Sequence, residues 1–204
     1  MAGGAYGREV RVTSNRPASP RDGQPESQSS DLSPTAWAVL GAIAEGPTHG
    51  FAVAQLLAVD GPLGRIWTVP RPLVYRELGK LIERGLVDQR ATERGGRGPA
   101  RTIVEASAAG RRAVARWLAE PVEHVRDVRS LFMLKLALHA RAGTDARELL
   151  LAQRRRLEPQ LVWLDGQRER SEGFDRTLAM WRAASCRAAL EFVYTLLAEI
   201  GSTI

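Results

Sequence analysis

Apolar side chains first recur at helical spacing from Leu32, with Ala36, Val39, Leu40 and Ile43 on one side. Ser33 stands where an N-cap belongs, Pro34 takes the first helical position, and Gly46-Pro47 ends the run. Thr48 is placed to cap a second helix carrying Phe51, Val53, Leu56 and Leu57, which stops before the turn sequence Asp60-Gly61-Pro62. A third helix follows Pro70 and runs to about Arg84, with Gly85 as its C-terminal glycine. From Leu86 the pattern changes from helical to alternating. Leu86 to Arg90 and Arg101 to Glu105 read as two short strands around a thin tip, Gly95-Gly96-Arg97-Gly98-Pro99. Three helices followed by a hairpin is the element order of a winged helix-turn-helix.

Beyond residue 106 no strand signal remains. Ser107-Ala108-Ala109-Gly110 opens a fourth helix through Val114, Trp117 and Leu118 to Pro121. Further helices are predicted over about 126–141, from Thr144 or Asp145 to about 171, and over 174–199. Leu150, Leu157 and Leu164 repeat at seven with Leu161 between them, a spacing suited to packing on another helix, and Pro159 predicts a kink or break in that run. Residues 1–31, rich in Gly, Ser, Pro, Arg and Gln, hold almost no large apolar side chain and are expected to be a disordered tail. The expected fold is mainly α with a small β-hairpin wing: tail 1–31, winged domain 32–120, and a helical region 121–204.

Charge sharpens the picture. The 204 residues carry a net +6, and within 70–101 eight basic residues face four acidic ones. Such a concentration favours a polyanionic partner over an ordinary solvated face. A single cysteine, Cys186, excludes an internal disulfide framework and a one-chain thiolate cluster. No apolar run reaches the length of a membrane helix and no apolar signal core opens the chain, so no membrane partner and a cytoplasmic location are expected.

On a wheel of about 100° per residue, Val74, Leu78, Leu81 and Ile82 share the core face of the third helix, while Arg76, Gly79, Lys80 and Glu83 lie opposite. Arg71 stands in the first turn and Tyr75 at the boundary. Gly79 would let the helix backbone approach a duplex closely, and Glu83 would point away from phosphates. A surface helix that binds nothing would show the same wheel. The hairpin changes that balance, because Arg90, Arg94, Arg97 and Arg101 decorate it, and guanidinium forks suit phosphate oxygens and narrow grooves. Helix and wing together point to double-stranded DNA. Phosphate contacts are expected from Tyr75, Arg94, Arg97 and Arg101, and base-edge contacts from Arg71, Arg76 and Lys80.

These residues also carry a family resemblance. Glu45-Gly46-Pro47-Thr48-His49-Gly50-Phe51 resembles the signature joining the first two helices of PadR-type transcriptional regulators. Tyr75-Arg76-Glu77-Leu78 with Leu81, and then Glu83-Arg84-Gly85-Leu86-Val87, resembles that family's recognition helix and wing entry. Gly98-Pro99-Ala100-Arg101, Ser107 and Gly110 are similar to its return strand and next helix. The match covers about residues 32–118, and the long C-terminal half is similar to the family's longer subgroup. Pro72-Leu73 departs from the usual Gly-Ser before the tyrosine, which removes a hydroxyl donor that Arg71 could replace; Val104 and Ala106 depart on the return strand.

The resemblance implies a homodimer through C-terminal helices, a palindromic operator, and repression relieved by a small molecule. The apolar side chains Phe132, Leu136, Leu149, Leu157, Leu161, Phe192 and Leu196 are independently more than three helices easily hide, and a twofold dimer would cover the surplus. A self-contained monomeric bundle is the other solution. Small aromatic effectors, which the resemblance also implies, would find flat walls at Trp117, Trp163 and Trp181, although core or interface packing is the first expectation for each. Trp67 is expected in the winged core, His49 in capping and packing, and Cys186 as a small apolar filler. His124 and His139 have no metal-ligand spacing, and no catalytic triad, nucleophile elbow or phosphate-cradling loop is present, so neither cofactor nor enzymatic activity is expected. The remaining alternative is a winged-helix module for protein interaction or ligand sequestration that binds no operator.

Overall fold

The computed structural model describes residues 32–93 and 101–202, with only the backbone described at 91–93, 101, 201 and 202. The expected disordered tail, residues 1–31, and the wing tip, including Arg94 and Arg97, lie outside the described residues.

The first helix, α1 (Pro34–Ala44), starts as its sequence dictates: Ser33 Oγ accepts from Ala36 N–H at 3.1 Å and Pro34 occupies the first turn. The second, α2 (Gly50–Leu56), is capped differently from the expectation. Its N-cap is His49, whose Nδ1 accepts from Ala52 N–H at 3.0 Å. Thr48 belongs instead with His49 to a two-residue strand, β1 (Thr48–His49), which the periodicity does not reveal. The third helix, α3 (Arg71–Glu83), ends at Gly85, whose φ of +66° is the left-handed conformation that a C-terminal glycine adopts freely.

The hairpin is present. Strands β2 (Val87–Glu93) and β3 (Arg101–Ala106) pair antiparallel from Val87 with Ala106 to Glu93 with Arg101, with a bulge between Gln89 and Thr92. β3 also pairs with β1 through Thr48 with Val104 and His49 with Ile103, so the sheet order is β1-β3-β2. Thus β1 ties the wing's return strand to the turn between α1 and α2.

Ser107 starts α4 (Ala108–Ala119) by accepting from Gly110 N–H at 3.0 Å, and its hydroxyl donates to Gly85 C=O at 2.7 Å. A Cβ at Gly110 would sit 2.0 Å from the carbonyl oxygen of Leu86, so only glycine lets α4 lie this close to the wing entry. After Pro121, a 3-10 turn (Val125–Asp127) and a π turn (Val128–Phe132) lead into α5 (Met133–Ala142). The single helix expected over 126–141 is therefore wound three ways. Next come α6 (Arg147–Arg170) and α7 (Gly173–Ser202). Of the kink or break expected at Pro159 there is no break: α6 continues through it as one helix. The two long helices are antiparallel: Tyr194 donates to Glu158 Oε1 at 2.6 Å, and Arg187 pairs with Asp165 at 3.0 Å.

Two clusters of buried side chains result. The first joins α1–α4 and the sheet, and takes in Leu134 and Leu138 of α5. Trp67 packs against it, as expected, half-buried. The second joins the 3-10 and π turns to α6 and α7, where Leu150, Leu157 and Leu164 are buried with Cys186. The protein is mainly helical with a small three-stranded antiparallel sheet forming the wing, a winged helix-turn-helix followed by a helical C-terminal region.

Candidate nucleic-acid interface

Helix α3 is pinned by one side and open on the other. Val74, Leu78 and Leu81 are buried in the first cluster and Ile82 half-buried against it, as the wheel predicts. The side chains of Arg76 and Lys80 are 58% and 53% exposed on the outer side. Gly79 lies between them, and a Cβ built there would touch nothing within 4 Å. A mid-helix glycine costs about 1 kcal/mol relative to alanine, and no packing contact here requires one. Its available role is to bring the helix backbone close to whatever docks on this face.

Arg71 and Tyr75 occupy the N-terminal part of α3. The Arg71 guanidinium lies 5.1 Å from the centroid of the Phe51 ring and 5.7 Å from that of Tyr75, with both rings partly exposed. The two aromatic faces hold the cation at the N-terminal end of the helix. A concavity of about 600 Å³ runs beside them, walled by His49, Phe51, Arg71, Tyr75, Gln89 and Thr102. The sequence marks Phe51 as an apolar position of the second helix and as the end of the helix-joining signature, and neither reports a contact with Arg71 on the next helix.

Glu77 is the other residue that sequence reasoning passes over. It is buried, and its Oε1 accepts from Arg76 Nε at 3.2 Å, Arg76 Nη2 at 3.1 Å and Lys80 Nζ at 3.2 Å. The wheel does hold the signal, since position 77 falls only about 40° from Leu81 at 100° per residue.

On the wing, Arg90 is exposed and pairs with Glu105 across the hairpin at 2.8 Å. Arg101 stands on β3 by its backbone. Arg71 and Tyr75 wall the concavity beside the wing strands, whereas Arg76 and Lys80 are exposed farther round the helix, where both pair with Glu77.

The three tryptophans do not converge. Trp117 is buried and stacks parallel on Trp37, with centroids 5.0 Å apart, while Lys135 Nζ lies 4.7 Å from the Trp117 ring centroid. It is a core residue of the first cluster and lines no part of the cavity bearing the other two, which corrects the expectation of an effector wall at Trp117. Trp163 and Trp181 do come together: they are 57% and 70% exposed and share the wall of a cavity of about 1030 Å³ between α6, α7 and the 3-10 and π turns. Arg126, Arg129 and Arg182 also line it, and no described lining residue is acidic. Gln160 Oε1, on the same wall, is a buried acceptor with no hydrogen-bond partner. Among the described residues, no group of His, Cys, Asp and Glu is placed to hold a metal, and no helix is long and apolar enough to cross a membrane.

No family model and no curated protein matches the chain. Among solved structures, the chain is similar to Bacillus subtilis PadR in complex with operator DNA, at 21% identity and a TM-score of 0.41, covering 81% of this chain and 98% of that one. It is similar to the same protein in complex with p-coumaric acid at 19% identity and a TM-score of 0.39, covering 83% and 99%. A PadR-like transcriptional regulator from Bacillus cereus is similar at 16% identity and a TM-score of 0.36, again covering 83% and 99%. These structures bear the name of the family whose motifs the sequence resembles. The similarities are low, and the winged-helix architecture stands on the elements and strand register described above.

Proposed function

We propose that the protein is a sequence-specific DNA-binding transcriptional regulator of PadR type, acting in the cytoplasm as a homodimer on a palindromic operator. The observation that carries this reading is the outward projection of Arg76 and Lys80 from a helix whose other side is buried, beside a β-hairpin. In this reading Arg76 and Lys80 meet base edges, Arg71 meets a base edge and also the phosphate left without a hydroxyl donor by Pro72-Leu73, and Tyr75 and the wing residues Arg94, Arg97 and Arg101 meet phosphates. The N-terminal part of α3 enters the major groove, and two such helices sit about one helical turn of duplex apart, roughly 10 base pairs or a multiple. Residues 32–120 form the DNA-binding unit and residues 121–204 the dimerisation region, with α5 packed on both.

The cavity bearing Trp163 and Trp181 is the proposed effector site. Two exposed indoles offer flat faces, three arginines favour an anion, and the orphaned Gln160 acceptor wants a donor. The effector is thus a planar aromatic anion carrying a hydroxyl or N–H group, and the regulator a repressor that it releases. Release requires that the ligand bind better to a state with different wing-to-wing spacing.

The test is binding of the purified protein to the DNA upstream of its own gene, across a range of salt. A regulator of this kind binds an inverted repeat there, and its affinity falls steeply and linearly on a log–log plot against salt. Binding that is absent or insensitive to salt would transfer the protein to the interaction-module class.

A further inference from the structure

Glu77 is the one buried acidic residue among the described residues, 4% exposed, and it sits on the helix assigned to sequence reading. Taking a carboxylate out of water is costly unless cations compensate it. The compensating cations here are Arg76 and Lys80, the outward-facing pair, and they share a single oxygen, Oε1. Lys80 lies three residues on, where a helix brings side chains together. Arg76 is an immediate neighbour, so its guanidinium has to fold across the helix surface to reach the same atom.

The donor inventory leaves room for a second partner. A guanidinium has five N–H bonds and an ammonium three. Glu77 engages one N–H on Nε and one on Nη2 of Arg76, which leaves three of the five to spare, and it engages one of the three protons on Lys80. Both cations are therefore ordered by a buried anchor while their outer donors stay free for acceptors on a base pair.

We propose that Glu77 is a positioning residue for operator recognition: from its buried site it holds the heads of Arg76 and Lys80 in one arrangement, and its charge lowers their attraction for phosphates of any sequence. This rests on the operator-binding reading above. Ordering long side chains in advance raises affinity for the one base pattern that fits them. The buried negative charge reduces the local excess from two positive charges to one, which weakens the sequence-independent term. Both effects widen the gap between operator and other DNA.

The experiment uses the full chain and two duplexes: one recovered from a random pool by selection with the wild-type protein, and a scramble of the same composition. Glu77→Gln keeps the shape and removes the charge. It is expected to bind the scramble several-fold more tightly, while the preference for the selected duplex falls about tenfold. A purely structural carboxylate gives a different outcome, in which affinity for both duplexes falls together with the thermal midpoint, and that outcome overturns the proposal. An unchanged preference overturns it too. Should Glu77→Gln fail to fold, Glu77→Asp decides, because it keeps the charge but withdraws the oxygen from both cations. Its scramble affinity should stay at the wild-type level while the preference drops at least threefold, and an undiminished preference refutes the positioning role. If selection with the wild type returns no preferred duplex, the operator reading itself falls and takes this inference with it.

Discussion

Arg71 shows what one side chain contributes when neighbouring elements fix it. An exposed arginine in water samples many rotamers, and ordering it on a ligand costs up to about 2 kcal/mol of entropy. Here the rings of Phe51 and Tyr75 bracket its guanidinium. The head group is held at the N-terminus of α3, the positive end of the helix dipole, where Pro72 has no N–H and Leu73 N–H is already bonded to Pro70 C=O at 2.9 Å. The nearby Pro72-Leu73 supplies no side-chain donor, which leaves Arg71 as the cation that end of the helix can offer an anion. Arg71→Ala should lower affinity for every duplex and reduce the slope of log affinity against log salt by about one. Because the side chain is exposed, the unfolding midpoint should stay unchanged. A titration between low and moderate salt measures both quantities, and an unaltered slope removes Arg71 from the phosphate contacts. The sequence makes Arg71, Arg76 and Lys80 visible because a single wheel sorts their helix into two faces. It leaves Phe51 invisible because its role exists only across two helices.

Between the winged elements and the long helices, the connection is made by polar side chains in apolar surroundings. Lys135 on α5 is buried and donates from Nζ to the carbonyls of Trp117 at 2.5 Å and Glu120 at 2.6 Å, closing the C-terminal end of α4. Gln153 of α6 bonds both the N–H and the C=O of Val122. On the surface, Arg141 pairs with Glu45 through two contacts of 2.6 Å, fastening α5 to the end of α1. Burial pushes the Lys135 ammonium down from 10.5 to about 8, against the opposing attraction of Glu120. Between those two values the unfolded chain holds the proton that the folded protein has lost, so stability rises with pH across that window. The rise is on the order of 3 kcal/mol, because a tenfold change in proton affinity is worth about 1.4 kcal/mol. Urea unfolding at pH 7.5 and pH 10 should show it in the wild type and not in Lys135→Met, and equal pH dependences in the two proteins would contradict it. Elements with caps and long apolar stripes are legible in the sequence: α1, α3 and α4 begin and end within a residue or two of their signals. β1 is not, because two residues display no alternation and become a strand only when β3 lies alongside. Lys135 and Gln153 escape notice for a similar reason, since their partners are backbone groups that no sequence pattern marks.

For the molecule as a whole, the outstanding feature is apolar surface on the two long helices that one chain leaves uncovered. The apolar surplus expected from the sequence is present, but on other residues. Of the expected residues, Phe132, Leu149 and Leu157 are buried within the chain and Leu136, Leu161, Phe192 and Leu196 are half-buried, whereas Val162, Trp163, Phe174, Met180 and Trp181 are exposed. The heptad leucines point inward between α6 and α7, and the residues just beside them form the open face. A second copy laid across this face would cover the indoles and close the mouth of the arginine-lined cavity, joining dimer formation and effector binding in one place. It would also hold two winged units together, so that the second half-site is met at an effective concentration far above that of free protein. Trp181→Glu places a charge on that face without touching either buried cluster. Sedimentation should find the wild type dimeric and the variant monomeric at micromolar concentration, with the thermal unfolding of the winged elements retained. The variant should then bind a single half-site as the wild type does, while losing about a hundredfold in affinity for the full inverted repeat. If the variant remains dimeric, the pairing surface lies elsewhere on the chain, and if the wild type sediments as a monomer at concentrations that saturate the repeat, the homodimer reading itself falls.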